Sequence, residues 1–262
     1  MRRHSDVTAH QLNSPQPFAT MLGPVYDKSA RIYDLLYTGT GIKDYVTEAA
    51  ELNQIITQAC PAARTLLDVA CGTGAHLTHL RQSYSVEGAD VSPAMLDVAG
   101  RRLPGVPLHL ADMRKLDLGR RFDAVICLFS SIGYITDRSE LTSTVERLAA
   151  HVGPGGVLVI DGWIRPDKWS DDYRGDPDIA SDHQMTVVRL TVSRRVGNVT
   201  ELDMHHLVRD GPGIEYFVES HRLALTPTEE YVSAVENAGL KARVVPDFMP
   251  ARDRIVGTRN PA

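Results

Sequence analysis

From residue 64 onward, apolar and polar positions follow two alternating rhythms. Short apolar runs at 65–70, 85–90 (SVEGAD), 107–111 (PLHLA), 122–128 (FDAVICL) and 156–161 (GVLVID) read as strands. Between them, 75–83, 93–102 and 139–151 carry helical spacing. Regular strand–helix alternation predicts right-handed crossovers and a parallel sheet. Residues 29–59 also have helical spacing, with Tyr33, Tyr37 and Tyr45 among them. Pro154-Gly155-Gly156 predicts a sharp turn before the fifth strand.

After Asp161 the rhythm changes. Residues 163–183, rich in Trp, Asp, Pro and Arg, read as a long loop or lid. The runs 185–196, 199–209 and 215–225 are β-branched or alternating, with turns at Gly197-Asn198 and Gly211-Pro212-Gly213, and predict about three antiparallel strands. Pro227 opens a helix through about Gly239, with Glu229 and Glu230 in its first turn. Strands at 240–245 and 253–258 then return to the main sheet. The expected organisation is a flexible polar tail at 1–22, an α/β unit with an N-terminal helical cap at 23–162, an antiparallel insertion at 163–226, and a closing helix and strands at 227–262.

Composition narrows the function. A chain of 262 residues, 43% hydrophobic and 23% charged, suits a soluble globular protein. A net charge of −5 and 6% aromatics argue against a nucleic-acid surface. Three scattered cysteines (Cys60, Cys71, Cys127) make no disulfide framework. No apolar stretch reaches the roughly 18–20 residues that span a bilayer, and the N-terminus lacks a signal-peptide apolar core. A cytoplasmic protein with no membrane and no nucleic-acid partner is expected.

The chemistry concentrates at 65–74, TLLDVACGTG. A strand that runs into a glycine turn before a helix is how doubly wound proteins hold nucleotide-like cofactors. The dinucleotide fingerprint is absent, because Leu77 stands at its third glycine position. Asp68 at the strand end would repel a pyrophosphate and welcome a cationic amino acid. Asp90 ends the second strand, 18 residues after Gly72, where a carboxylate accepts from both ribose hydroxyls. Asp112 follows the third strand and suits an adenine amine, with Met113 as a polarizable face. Asp123 reads as a strand-start acid with a structural role. Phe129 lies at the crevice mouth. The pair His76 and His79 on the first helix finds no third metal ligand in the sequence and is expected to face solvent; no metal is expected.

TLLDVACGTG resembles motif I of class I S-adenosylmethionine (SAM) methyltransferases. The likeness extends to YDLLYTGTGIKDY (33–45), ADMRKLDLGRRFDAVICLFSSIGY, PGGVLVIDGW, ESHRLALTPTEEYVSAVENAGL (219–240) and PARDRIVG (250–257). These resemble the N,N-dimethyltransferases of TDP-3-amino-3,6-dideoxyhexoses, the desosamine and mycaminose type, over nearly the whole chain from about residue 26. The resemblance implies an α/β, Rossmann-like fold with a mostly parallel seven-stranded sheet and SAM as cofactor. It implies Tyr33, Tyr45, Asp68, Ala70, Gly72, Gly74, Asp90, Met95, Asp112, Met113 and Phe129 as the cofactor site. A TDP-amino-deoxysugar is the implied substrate, in antibiotic biosynthesis. Two departures fall at the expected acceptor site: Tyr134 replaces a family histidine in SSIGY, and Asp161-Gly162-Trp163-Ile164 replaces EPWW.

Transfer from a sulfonium asks mainly for alignment, so Tyr134 or Tyr26 is expected to orient the amine. Two phosphates require local cations, and arginine's planar fork meets phosphate oxygens in pairs. Arg165, Arg189, Arg222 and Arg252 are the candidates; the family's SGRG arginine aligns with Arg252. Trp163 is expected to stack on the sugar or thymine. Tyr37 is expected to close the N-terminal helix over the site with Tyr45, and Lys43 lies beside them. His205 and His206 fall on opposite sides of a strand; one is a candidate to reach the sugar, against the competing reading of a structural histidine. The insertion's exposed edges suggest a homodimer. A SAM-dependent enzyme for another amine or a polyketide hydroxyl, and a non-catalytic SAM-binding protein, share the same cofactor site.

Overall fold

The computed structural model describes residues 26–171 and 175–261. The tail expected at 1–22 lies outside them.

The helical segment at 29–59 is broken. A short 3-10 turn (Ser29–Arg31) leads into α1 (Tyr33–Gly39), and α2 (Tyr45–Ala59) starts afresh. Thr38-Gly39-Thr40-Gly41 interrupts the helix. Asp44 restarts it as N-cap, accepting from the Thr47 amide at 3.1 Å. The chain then alternates as expected through β1 (Thr65–Val69), α3 (Ala75–Leu80), β2 (Ser85–Asp90), α4 (Pro93–Arg102), β3 (Leu108–Leu110), β4 (Phe122–Cys127), α5 (Arg138–Ala150) and β5 (Val152–Asp161). The Pro154 turn is instead an irregularity inside β5. Phe122 pairs with Val152 while Ala124 pairs with Val157, so several residues bulge out of register.

The insertion has one strand more than expected. β6 (Asp178–Ser181), β7 (Met185–Val196), β8 (Val199–Asp210) and β9 (Gly213–Ala224) form an antiparallel sheet in sequence order. β6 lies inside the stretch read as a loop. Only Ile179 and Ala180 are apolar there, too few for a visible pattern, and Ala180 is buried beneath α1. The chain closes with α6 (Thr228–Asn237), β10 (Lys241–Met249) and β11 (Arg252–Thr258).

The main sheet has seven strands in the order β10-β11-β5-β4-β1-β2-β3. β1 to β5 are parallel neighbours, and β11 runs antiparallel to both β5 and β10. Each face carries its own apolar layer: α5 and α6 cover Leu67, Val125 and Ile160, while α2 and α3 cover Leu66, Ile126 and Val159. Burial on both faces accounts for the continuous apolar strands. Strand order reverses beside β1, where β2 lies on one side and β4 on the other. Ligands of such sheets bind at the carboxyl ends of these strands.

Candidate functional site

A cavity of about 1060 Å³ opens at that reversal, walled by the strand ends, the N-terminal cap and the second sheet. β1 delivers Asp68, which is 2% exposed. No protein hydrogen bond reaches its carboxyl among the described residues. Burial, reinforced by Asp90 and Asp161, pushes its pKa far up; a cationic ligand would reverse that shift. After Asp68 the backbone turns through left-handed Ala70 (φ 62°) and Gly72 (φ 54°). A Cβ on Gly72 would approach only Met95 Sδ, at 4.0 Å, so the turn leaves its backbone open to the cavity.

Asp90 is held in one orientation. Its Oδ2 accepts from the Gly72 amide and its Oδ1 from the Ser92 amide, both at 2.8 Å. Each oxygen keeps a second lone pair for a ligand hydroxyl. Met95 beside it is buried and lines the cavity. Asp112 and Met113 line the wall after β3, but Asp112 already holds Arg114. Arg114 Nε donates to both carboxylate oxygens at 3.0 Å and pulls the carboxyl's pKa down.

Just past β4 come two consecutive left-handed residues, Phe129 (φ 50°) and Ser130 (φ 64°). Neither is glycine, so this backbone is strained, and strain of this kind gathers at functional sites. Buried Asp161 holds it: its Oδ2 accepts the Phe129 amide at 3.1 Å, while Arg254 Nε donates to Oδ1 at 2.6 Å. Asp161, expected at the acceptor site, therefore faces Arg254 and the backbone just past β4 and is absent from the cavity wall.

The cap brings four tyrosines to the cavity: Tyr26, Tyr33, Tyr37 and Tyr45. Tyr26 Oη stands 2.7 Å from Tyr134 Oη, and burial raises both phenols. Lys43, which carried no assigned role in the sequence reading, is 5% exposed. Its ammonium lies 4.1 Å from the Phe129 ring centroid and pairs with Glu48, and burial lowers its pKa. Glu48 also bonds His76 Nε2 at 2.9 Å, so His76 is buried rather than facing solvent. No cluster able to hold a metal occurs among the described residues.

The arginines separate by their partners. Arg252 lies against the Trp163 ring (4.3 Å) on the cavity wall, and burial lowers its pKa. It forms no ion pair among the described residues. Arg189 also lines the cavity, but its guanidinium is committed to Asp178 Oδ2 (2.7 and 2.8 Å) and to Tyr37 Oη (2.9 Å). Arg222 reaches the cavity with Nε 3.4 Å from Glu201 Oε1. Trp163 donates its indole N–H to Thr200 Oγ1 at 3.1 Å.

Three expected site residues stand apart from the cavity. Arg165 is bound by Asp253 and Asp247, with Nη2 2.8 Å from the latter. His205 projects from the opposite face of the second sheet and bonds Tyr216 Oη at 2.7 Å. Gly74 packs α3 against α4; its φ is 71°, and a Cβ would meet Leu103 Cδ1 at 2.6 Å. Asp123 is structural as expected, accepting from the Arg64 and Thr65 amides.

Comparison with known proteins agrees with this geometry. Residues 66–156 match the methyltransferase-domain family. The dTDP-3-amino-3,6-dideoxy-alpha-D-glucopyranose N,N-dimethyltransferase of Streptomyces fradiae is 42% identical over 252 residues, covering 95% of this chain and 96% of its own length. The dTDP-4-amino-2,3,4,6-tetradeoxy-D-glucose N,N-dimethyltransferase of Saccharopolyspora spinosa is 38% identical, covering 88% and 92%. The crystal structure of Streptomyces venezuelae DesVI superposes with a TM-score of 0.83 at 39% identity, covering 89% of this chain and 98% of that one. The chain belongs to the family of SAM-dependent N,N-dimethyltransferases that act on dTDP-linked amino sugars.

Proposed function

We propose that this enzyme transfers methyl groups from SAM to the ring amine of a dTDP-linked amino-deoxysugar, forming the dimethylamine in a natural-product pathway. The observation that carries the reading is a cavity that joins a nucleoside-amino-acid cradle to an arginine free of ion pairs among the described residues. The donor set suits SAM. Asp68, buried without a hydrogen-bond donor among the described residues, fits the ammonium. Asp90, pre-oriented by two amides, fits the ribose hydroxyls. When bound, SAM supplies an electrophilic methyl on a sulfonium.

The chain's own residues align and desolvate. The tyrosine cap excludes water, and Tyr26 with Tyr134 orients the amine whose lone pair attacks. An amino-sugar nitrogen is nucleophilic once neutral, so no strong base is required. Arg252 receives the diphosphate and Trp163 flanks the sugar or base. The relatives' names place the amine at different ring positions, 3 in one and 4 in the other, so the shared chemistry is a secondary-carbon amine on a deoxyhexose.

We further propose a homodimer through the outer face of the second sheet, where Leu190, Val192, Leu207, Ile214, Tyr216 and Val218 are exposed. A reducing, cytoplasmic setting suits the free thiols of Cys71 and Cys127. No helix among the described residues is long and apolar enough to cross a membrane. The test is mass spectrometry of products after incubation with SAM and a panel of dTDP-amino sugars. A gain of two methyls on an amine is expected; methylation of aglycone hydroxyls alone would overturn the reading. Tyr134→Phe should lower turnover modestly, while complete loss with intact binding would reveal an obligatory proton acceptor.

A further inference from the structure

One buried histidine beside the acceptor side of the cavity has no part in the chemistry above. His221, on β9, is 0% exposed and sits opposite Leu202 on the face of the second sheet that turns to the cavity. Its Nδ1 stands 2.8 Å from Tyr134 Oη, which in turn stands 2.7 Å from Tyr26 Oη. The two tyrosines line the cavity and His221 does not. The imidazole packs against the Tyr26 ring at 5.0 Å between centroids, and its Nε2 is buried without a partner among the described residues.

We propose that His221 is a positioning residue for methyl transfer, anchoring the Tyr134 hydroxyl and, through it, the Tyr26 hydroxyl, so that the phenol pair meets the acceptor in one fixed hydrogen-bonding direction. The identity of that acceptor rests on the amino-sugar reading.

Proton counting sets the direction. Two phenols and a neutral imidazole bring three hydrogens to two contacts. A bare buried N–H is rarer than a bare buried acceptor, which places the imidazole proton on Nδ1, donating to Tyr134 Oη. One phenolic hydrogen fills the contact between the two oxygens. The other is left for the cavity, to hold a sugar hydroxyl, while the phenol oxygen keeps a lone pair for an amine N–H. His221 is poorly suited to be the proton sink itself. Burial lowers it to about 4, far below an ordinary alkylamine, so a proton drawn from the amine would not stay there.

The test uses the full chain, saturating SAM and an amino sugar that the wild type methylates. His221→Phe keeps a ring but removes the anchor; His221→Asn retains an N–H near the Nδ1 position. His221→Phe is expected to lower kcat no more than Tyr134→Phe does, roughly 3- to 10-fold, with KM for SAM and the shape of the pH profile unchanged. His221→Asn should restore most of the rate. Introduced into Tyr134→Phe, His221→Phe should cause no further loss, because the bond that it removes is already gone. Equal losses in both backgrounds would mean packing alone and would overturn the proposal. Disappearance of an acidic limb from the pH profile would also overturn it, making His221 the proton acceptor. Calorimetry with S-adenosylhomocysteine identifies a misfolded variant. If the wild type methylates no amino sugar, the acceptor reading fails, and the anchor is judged from the imidazole nitrogen NMR spectrum. A neutral Nδ1–H form perturbed by Tyr134→Phe is expected there; an Nε2–H form would overturn the anchor.

Discussion

Asp90 spends one lone pair of each oxygen on a backbone amide and offers the others to a ligand. Asp90→Ala removes charge-assisted hydrogen bonds worth roughly 1.5–3 kcal/mol, so calorimetry should find SAM binding weaker by about tenfold to a hundredfold. Among the described residues, Arg252 is the cavity arginine without an acid partner, so Arg252→Ala should raise KM for the dTDP-sugar while leaving SAM affinity intact. An unchanged KM would move the diphosphate elsewhere. Asp68, Gly72 and Asp90 were legible in the sequence because strand, acid and glycine turn are local. Arg165 was not: its carboxylate partners lie 82 and 88 residues away. His205 was misplaced because alternation tells that neighbours face opposite sides but not which side is inward.

At the scale of elements, the N-terminal cap hangs from the second sheet. Glu219 on β9 accepts from the Lys28 and Ser29 amides and the Ser29 hydroxyl. Arg189 on β7 clasps Tyr37 of α1 together with Asp178 of β6. Breaking a buried ion pair by removing one partner costs about 3–5 kcal/mol. Arg189→Ala should therefore lower Tm and speed SAM dissociation through a loosened cap. The same substitution leaving both unchanged would show that the clasp does not hold the cap. The strand–helix alternation of the main sheet was legible from residue 64 because both faces are covered and the apolar runs are unbroken. The break between α1 and α2 was hidden by continuous helical spacing, and β6 by its two apolar residues.

At the scale of the whole molecule, two of the buried histidines among the described residues, His206 and His221, are each lowered to about 4 by burial. Both are neutral when folded and gain protons near the ordinary 6.5 when unfolded. The unfolded chain thus binds more protons below that value, and stability falls with it. Thermal melts should show Tm dropping between pH 6.5 and 4, with a shallower drop in His206→Phe; an unaltered slope would assign the loss to other groups. The outer face of the second sheet predicts an association that Ile214→Glu together with Val192→Glu abolishes. Light scattering reads the change directly, and a monomeric wild type would remove the dimer.

The mooring of the cap to the second sheet sets where the protein is divisible. On the proposed function, the roof above the nucleoside and the bench that receives the sugar are one piece of machinery, while the seven-stranded sheet supplies the floor. Acceptor preference therefore travels with residues 26–44 and 178–226 as a matched set. A chimera that exchanges both segments between two relatives should keep its methyl donor and change its sugar, and one that exchanges only the bench would be left with a roof that no longer latches.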